Sequence, residues 1–226
     1  MRIIAGALGG RVLAPVKGRT RPTAAKVRKA IFDILGPAVA EAQVLDLFAG
    51  TGALGIEALS RGAKQAVFVE DQASALPGLR RNLETLGLLE RSRVLPVPVA
   101  AALKKLASQG ERFGLVFLDP PYGGGMAQAT LTALAAAALL LPQAMVVAEH
   151  SRRESLPEAV GVLEQQTLRR YGDTQVAIYL LRRESGEGSN KRNLRSPVPG
   201  IIKEGTCPTL RSIPVPSTPS PTATWT

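Results

Sequence analysis

Short apolar runs that must be covered on two faces constrain this chain more than anything else in it. Val44-Leu45-Asp46-Leu47-Phe48, Ala66-Val67-Phe68-Val69 and Leu115-Val116-Phe117-Leu118 are nearly continuous in apolar residues rather than alternating. That is the pattern of strands buried on both sides of a parallel sheet. Segments of helical spacing follow them at 54–61, 74–86, 100–108 and 127–139. Alternating strands and helices predict an α/β fold, a mainly parallel sheet with helices on both faces. A further strand is expected at 145–149. Two more, 163–171 and 174–182, flank Gly172-Asp173, a two-residue hairpin signal that closes the sheet with an antiparallel pair.

The ends of these strands carry the chemistry. Leu115–Leu118 runs into Asp119-Pro120-Pro121-Tyr122. Two prolines cannot extend a strand, so the chain must leave the sheet at its carboxyl end, where open α/β sheets bind ligands. The four residues suit an exocyclic base amine, whose lone pair is delocalised into its ring. The Asp119 carboxylate and the Pro120 carbonyl can accept its two N–H groups and aim the lone pair, Pro121 stiffens the turn, and Tyr122 can stack on the base.

The first strand ends in Ala49-Gly50-Thr51-Gly52-Ala53-Leu54-Gly55, a glycine-rich turn into a helix, and the second ends in Glu70-Asp71. Gly50, Gly52 and Gly55 allow close approach of a ligand to the backbone, and Glu70 stands where ribose hydroxyls would lie. The same glycines spell a dinucleotide fingerprint, so an NAD(P)-dependent Rossmann oxidoreductase is a rival reading. Asp46 argues against it, because a pyrophosphate is an anion and wants the helix N-terminus free of a nearby acid. S-adenosylmethionine, with a sulfonium and an ammonium and no phosphate, suits Asp46, the turn beginning at Phe48, and Glu70 better.

Asp46-Leu-Phe-Ala-Gly-Thr-Gly together with Asp119-Pro-Pro-Tyr resembles the class I amino-methyltransferases, a Rossmann-like family acting on nucleic-acid bases. More narrowly, Arg2-Ile-Ile-Ala-Gly, Arg21-Pro22-Thr23, the run from Gly55 to Ala63 and the run from Val116 to Tyr122 resemble the bacterial family that methylates a guanine 2-amino group in small-subunit ribosomal RNA. The resemblance extends from residue 1 to about residue 183. It implies S-adenosylmethionine as methyl donor and a guanine of 16S rRNA, within the small ribosomal subunit, as acceptor. The amine motif by itself leaves a DNA or RNA adenine amino-methyltransferase as the alternative. Two departures stand out. Residues 93–100 lack the acid that relatives carry after the third strand, which leaves the adenine contact unassigned, and Lys29 replaces a frequent acid.

Charge points independently to a polyanion. The chain of 226 residues has a net charge of +10. Residues 1–35 carry +7 of it through Arg2, Arg11, Lys17, Arg19, Arg21, Lys26, Arg28 and Lys29 against Asp33 alone, and residues 36–184 sum to zero. Arg2, Arg11, Arg19, Arg21, Lys26 and Arg28 are the expected RNA contacts, a salt-dependent mode of binding. The expected elements there are an N-terminal β-hairpin, 2–6 and 11–13 around Leu8-Gly9-Gly10, and a helix at 24–35 capped by Thr23, with Arg21 near their junction. The helix has Val27, Ile31, Ile34 and Leu35 inward, and Lys26, Arg28 and Lys29 off that stripe.

Three regions follow: a basic RNA-contacting extension at 1–35, a methyltransferase domain at 36–183, and a tail at 184–226 whose Gly, Ser, Pro, Thr and Asn content predicts disorder. Residues 126–148 are uncharged for 23 positions, but Pro142, Gln128 and Gln143 fit a bilayer poorly, and a buried helix and strand are expected instead. Glycines and Arg11 interrupt any leader-like apolar run, so a cytoplasmic, monomeric protein with no membrane partner is expected. Cys207 is the sole cysteine and His150 the sole histidine, which excludes disulfides and a cysteine–histidine zinc site, and no metal is expected. His150 itself is expected at the surface.

Overall fold

The computed structural model describes residues 1–15, 24–121 and 123–182. Lys17, Arg19, Arg21, Thr23, Tyr122 and the 184–226 tail lie outside the described residues. The described chain carries five α-helices, α1 (Ala24–Leu35), α2 (Ala53–Ser60), α3 (Leu76–Thr85), α4 (Val99–Ser108) and α5 (Met126–Ala136). Its strands are β1 (Gln43–Leu47), β2 (Gln65–Val69), β3 (Ser92–Leu95), β4 (Phe113–Leu118), β5 (Leu140–Ser151), β6 (Ala159–Val160), β7 (Leu163–Tyr171) and β8 (Thr174–Leu181). They form one sheet in the order β3-β2-β1-β4-β5-β8-β7-β6. β1 to β5 are mutually parallel, and β8, β7 and β6 are added antiparallel. β1 therefore lies between β2 and β4, with both faces covered.

The strands sort their side chains by parity, as a pleat requires. One face packs Phe68, Phe117 and Val147 against Phe32 of α1, Ile56 and Leu59 of α2 and Leu79 of α3. The other packs Leu45, Leu47, Val116 and Leu118 against Leu103 and Leu106 of α4 and Leu131 and Leu134 of α5. Burying such side chains contributes roughly 1.5–3 kcal/mol each. Two opposed cores explain why the strand sequences are apolar throughout.

Several details differ from the sequence reading. The expected N-terminal hairpin is present but short: the antiparallel bridge of Arg2 with Val12 is flanked by Leu13 N to the Met1 carbonyl, Ile3 N to the Arg11 carbonyl and Gly10 N to the Ile3 carbonyl. Beyond that pairing the arm is tied to the body, since Ile4 N and Ala5 N donate to the Glu57 carboxylate of α2 at 2.8 and 3.0 Å. Gly6, at φ +83, passes so close to α2 that an added Cβ would stand 1.9 Å from the Ser60 carbonyl oxygen.

Arg28 is the larger correction. It was expected on the outside of α1 as an RNA contact, yet it is 3% exposed. Its Nε lies 3.6 Å from Glu57 Oε2 and its Nη2 donates to the Arg2 carbonyl. A charged group can be buried there because a carboxylate is buried opposite it, and an arginine so held does not reach a phosphate.

α5 stops at Ala136, short of residue 139. Ala138 turns into the left-handed region at φ +49, and the Leu139 carbonyl accepts Phe113 N, which draws the chain into the sheet early. β5 is accordingly longer than the expected 145–149. His150, on that strand, is 1% exposed rather than at the surface, because it lies on the pleat beside Gln175 of β8.

Candidate active site

Register brings the site together. Leu47 of β1 pairs with Val69 of β2 and with Leu118 of β4. The next residues, Phe48, Glu70 and Asp119, therefore leave three adjacent strands at one level. Phe48 has φ +64 and Gly50 φ +54, a sharp reversal directly above β1. A non-glycine residue in this region costs on the order of 1 kcal/mol or more and persists only where its surroundings hold it.

The donor turn is wired to two acids. Gly50 N donates to Glu70 Oε2 at 2.7 Å, and Gly55 N donates to Asp46 Oδ2 at 2.9 Å. Glu70 also accepts from Gln72 N through Oε1 at 2.9 Å. Asp46 is 2% exposed, and burial pushes its carboxyl up to about 7, opposed by the Gly55 N–H and reinforced by the negative charges of Asp119 and Glu70. Three carboxylates thus converge on one side of the turn. Backbone donors that a pyrophosphate would need are already bonded to carboxylates, so the dinucleotide reading finds no support. A positively charged ligand without phosphate fits these residues, since it would relieve the repulsion that helps to raise Asp46.

The glycines divide the work. Gly52, at φ +80, caps α2, and a Cβ there would meet Leu79 Cδ1 at 2.6 Å. Gly55 was read as touching the ligand, but a Cβ on it would stand 2.4 Å from the Phe68 ring, so it serves the fit of helix on strand.

On the acceptor side, Asp119 is half-buried, Pro120 buried and Pro121 exposed. After them, Gly123, Gly124 and Gly125 all adopt positive φ (98°, 75° and 67°) before α5 begins. Gly123 N donates to Glu154 Oε1 at 3.1 Å, which ties this loop to the chain leaving β5. A shallow cavity of about 160 Å³ lies beside it, lined by Gly125, Ala127, Gln128, Glu154, Ser155 and Leu156. Below sits His150, whose Nδ1 meets the Ser151 carbonyl at 3.1 Å and whose Nε2 has no partner among the described residues. Burial holds its pKa below the usual 6.5.

Arg2, Arg11 and Lys26 are exposed. Sequence reasoning missed the residues that attach the arm. Glu57 takes Ile4, Ala5, Arg61 and Arg28, Ser60 bonds Leu8 N and the Ala5 carbonyl, and Asn82 bonds Ala14 through both its N–H and its C=O. Asn82 Nδ2 also donates to the Thr51 carbonyl at 3.0 Å. The one available signal was an acid, Glu57, inside the otherwise apolar run of α2.

With this geometry the chain can be compared with known proteins. The family model described as "Conserved hypothetical protein 95" matches residues 1–180. The chain belongs to this family. YlbH of Bacillus subtilis (strain 168) is 42% identical over 180 residues, covering 79% of this chain and 98% of that protein. Ribosomal RNA small subunit methyltransferase D of Escherichia coli (strain K12) is 37% identical over 158 residues, 70% of this chain and 78% of its own. Among solved structures, the Thermus thermophilus 16S rRNA N2 G1207 methyltransferase, in complex with AdoMet and guanosine, superposes with a TM-score of 0.59 at 27% identity, over 81% of this chain and 49% of that one. The family member described here thus has the Rossmann-like methyltransferase fold. No helix among its described residues is long and apolar enough to cross a membrane.

Proposed function

We propose that this protein transfers a methyl group from S-adenosylmethionine to the exocyclic 2-amino group of a guanine in the 16S rRNA of the small ribosomal subunit, in the cytoplasm. The observation that carries the reading is the emergence of Phe48, Glu70 and Asp119 at one level on three neighbouring strands. It sets a site for a cationic cofactor directly beside an amine-accepting loop. Relatives named as small-subunit rRNA methyltransferases, and a guanine N2 methyltransferase among the structural neighbours, support the substrate class.

When bound, the cofactor supplies an electrophilic methyl group. Asp46 and Glu70 face its positive charge and ribose, and Gly50 lets the backbone approach it, while Gly52 shapes the turn from the α2 side. On the acceptor side the Asp119 carboxylate and the Pro120 carbonyl accept the two N–H groups of the guanine amine, so that its lone pair points away from them and toward the donor turn. Tyr122 is assigned to stacking on the extruded base, whose removal from its stack costs a few kcal/mol. The amine becomes acidic only as it attacks, so Asp119 needs no unusual basicity to receive the proton. Holding both reactants in line supplies most of the acceleration.

Labelled methyl transfer to unmodified small subunits, naked 16S rRNA and DNA, followed by nucleoside analysis, tests this. We expect 2-methylguanosine from RNA, a loss of roughly 10²-fold or more in Asp119→Ala, and retained binding of S-adenosylhomocysteine by that variant. Methyladenine from DNA would overturn the substrate while keeping the chemistry.

A further inference from the structure

The sequence reading assigned the whole basic surface to the leading segment, because residues 36–184 sum to zero. That zero hides a local arrangement. β8 runs antiparallel to β5, with Ser151 opposite Thr174. The β7–β8 turn at Gly172-Asp173 therefore lies at the carboxyl edge of the parallel strands, the edge that bears Asp119. Arg152 and Arg153 follow β5 at that edge, and Arg169 and Arg170 end β7 beside it, opposite Val176 and Gln175. All four are exposed.

Arg152 and Arg153 border the acceptor loop directly, and Arg169 and Arg170 lie farther along the same edge, beyond β8. Gly123 N is held by Glu154, the residue after Arg153, and Arg152 N donates to the Asp173 carbonyl at 2.8 Å, which joins the β5 exit to the β7–β8 turn. The carboxylates nearby are Asp173, Glu154 and Glu149, the last half-buried on the rung that Val176 shares with Arg169. Among the described residues only Arg152 of the four has a carboxylate within ion-pair distance, Asp173 at 3.8 Å, with both side chains largely exposed. An exposed pair of that kind holds an arginine weakly and yields it readily to a phosphate. On the opposite flank, beyond β1, Asn82 fixes Ala14 of the arm beside the donor turn.

We propose that Arg152, Arg153, Arg169 and Arg170 form a second phosphate-gripping rim, which holds the RNA backbone on the β5–β7 side of the flipped guanine while the leading segment holds the other side. This rests on the rRNA methyltransferase reading. A base swung out of its stack needs the backbone fixed on both sides of it, because a strand held on one side alone can follow the base and leave the amine unaligned.

The experiment uses the full chain and a small-subunit rRNA fragment shown to accept methyl from the wild type. Four proteins are compared: wild type; the fourfold Arg→Gln variant at 152, 153, 169 and 170; the fourfold Arg→Lys variant; and Lys64→Gln/Arg112→Gln, which neutralises two exposed cations at the opposite edge of the sheet. The Gln variant should raise KM for RNA at least tenfold with kcat changed less than threefold. It should also flatten the slope of log affinity against log salt by about 2–3, at about 0.7 for each phosphate of a single strand that is no longer neutralised. The Lys variant should restore most of the slope, and S-adenosylhomocysteine affinity should not move. An unchanged slope in the Gln variant, or an equal loss in Lys64→Gln/Arg112→Gln, overturns the rim. Should the fourfold variant unfold, the pairs Arg152→Gln/Arg153→Gln and Arg169→Gln/Arg170→Gln are each expected to flatten the slope by about 1. A wild type that methylates no RNA overturns the underlying reading, and the rim with it.

Discussion

Glu57 shows how a single side chain can set the position of a whole segment. It is fully buried, accepts Ile4 N and Ala5 N, and pairs with Arg61 Nε at 2.8 Å while Arg28 stands behind it. The Arg61 guanidinium in turn lies 4.7 Å from the Phe32 ring centroid. Truncating one partner of such a pair leaves the other charged and dry, a cost of about 3–5 kcal/mol. Glu57→Ala is therefore expected to lower urea-unfolding stability by that amount, and Glu57→Ala with Arg28→Met to recover part of it. Equal stability of the single and double variants would show that Arg28 is not the group left unpaired. This centre was illegible beforehand for a definite reason. A charged residue on an amphipathic helix reads as solvated, and only the partner across space, here 29 residues away in sequence, says otherwise. Asp46, Glu70 and Asp119 were legible because each ends or interrupts an apolar strand, where an acid has no structural excuse.

Among the elements, α3 joins the two functional halves. Asn82 accepts Ala14 N at 2.7 Å and donates to Thr51 O at 3.0 Å, so the arm and the donor turn hang on one amide. Asn82→Ala removes hydrogen bonds worth about 1 kcal/mol each. We expect S-adenosylhomocysteine affinity to fall by roughly 5–30-fold by calorimetry, with faster hydrogen exchange at Ala14; exchange unchanged at Ala14 would disconnect the two. Elements whose pattern is set by one layer of neighbours were read closely. α1 was expected at 24–35 and is found at Ala24–Leu35, and β7 begins and ends as the Gly172-Asp173 signal implied. Elements decided by competition were not. The second half of the arm's first strand turns to Glu57 after Ile3, α5 lost its last turn to β4, and the short β6 at Ala159–Val160 pairs only with Leu163 and Glu164 alongside it.

Across the whole molecule, two buried groups make opposite demands on pH. Asp46 binds its proton more tightly folded than unfolded, rising from 3.8 to about 7, so its contribution is complete at low pH and is lost as pH rises through 7. His150 is depressed below 6.5, so it favours the fold above that value and penalises it as pH falls. Each changes stability by at most about 1.4 kcal/mol per pH unit. In thermal unfolding the two therefore oppose one another below pH 6.5, and the loss at Asp46 stands alone between there and about 7. Asp46→Asn should steepen the acid side and stabilise the alkaline side, and His150→Gln should leave stability falling as pH rises. Superimposable profiles for wild type and Asp46→Asn would mean that Asp46 is ionised in the fold throughout.

Leu47, held in register with both Val69 and Leu118, carries one more implication. The gap between donor turn and acceptor loop is one hydrogen-bonded strand spacing, roughly 4.8 Å, a length that peptide geometry supplies and no side chain has to tune. Reach across the reaction is thus inherited from the ladder, while choice of substrate resides in loops that the ladder merely carries. A lineage built this way can exchange what it modifies without recalibrating how far a methyl group must travel.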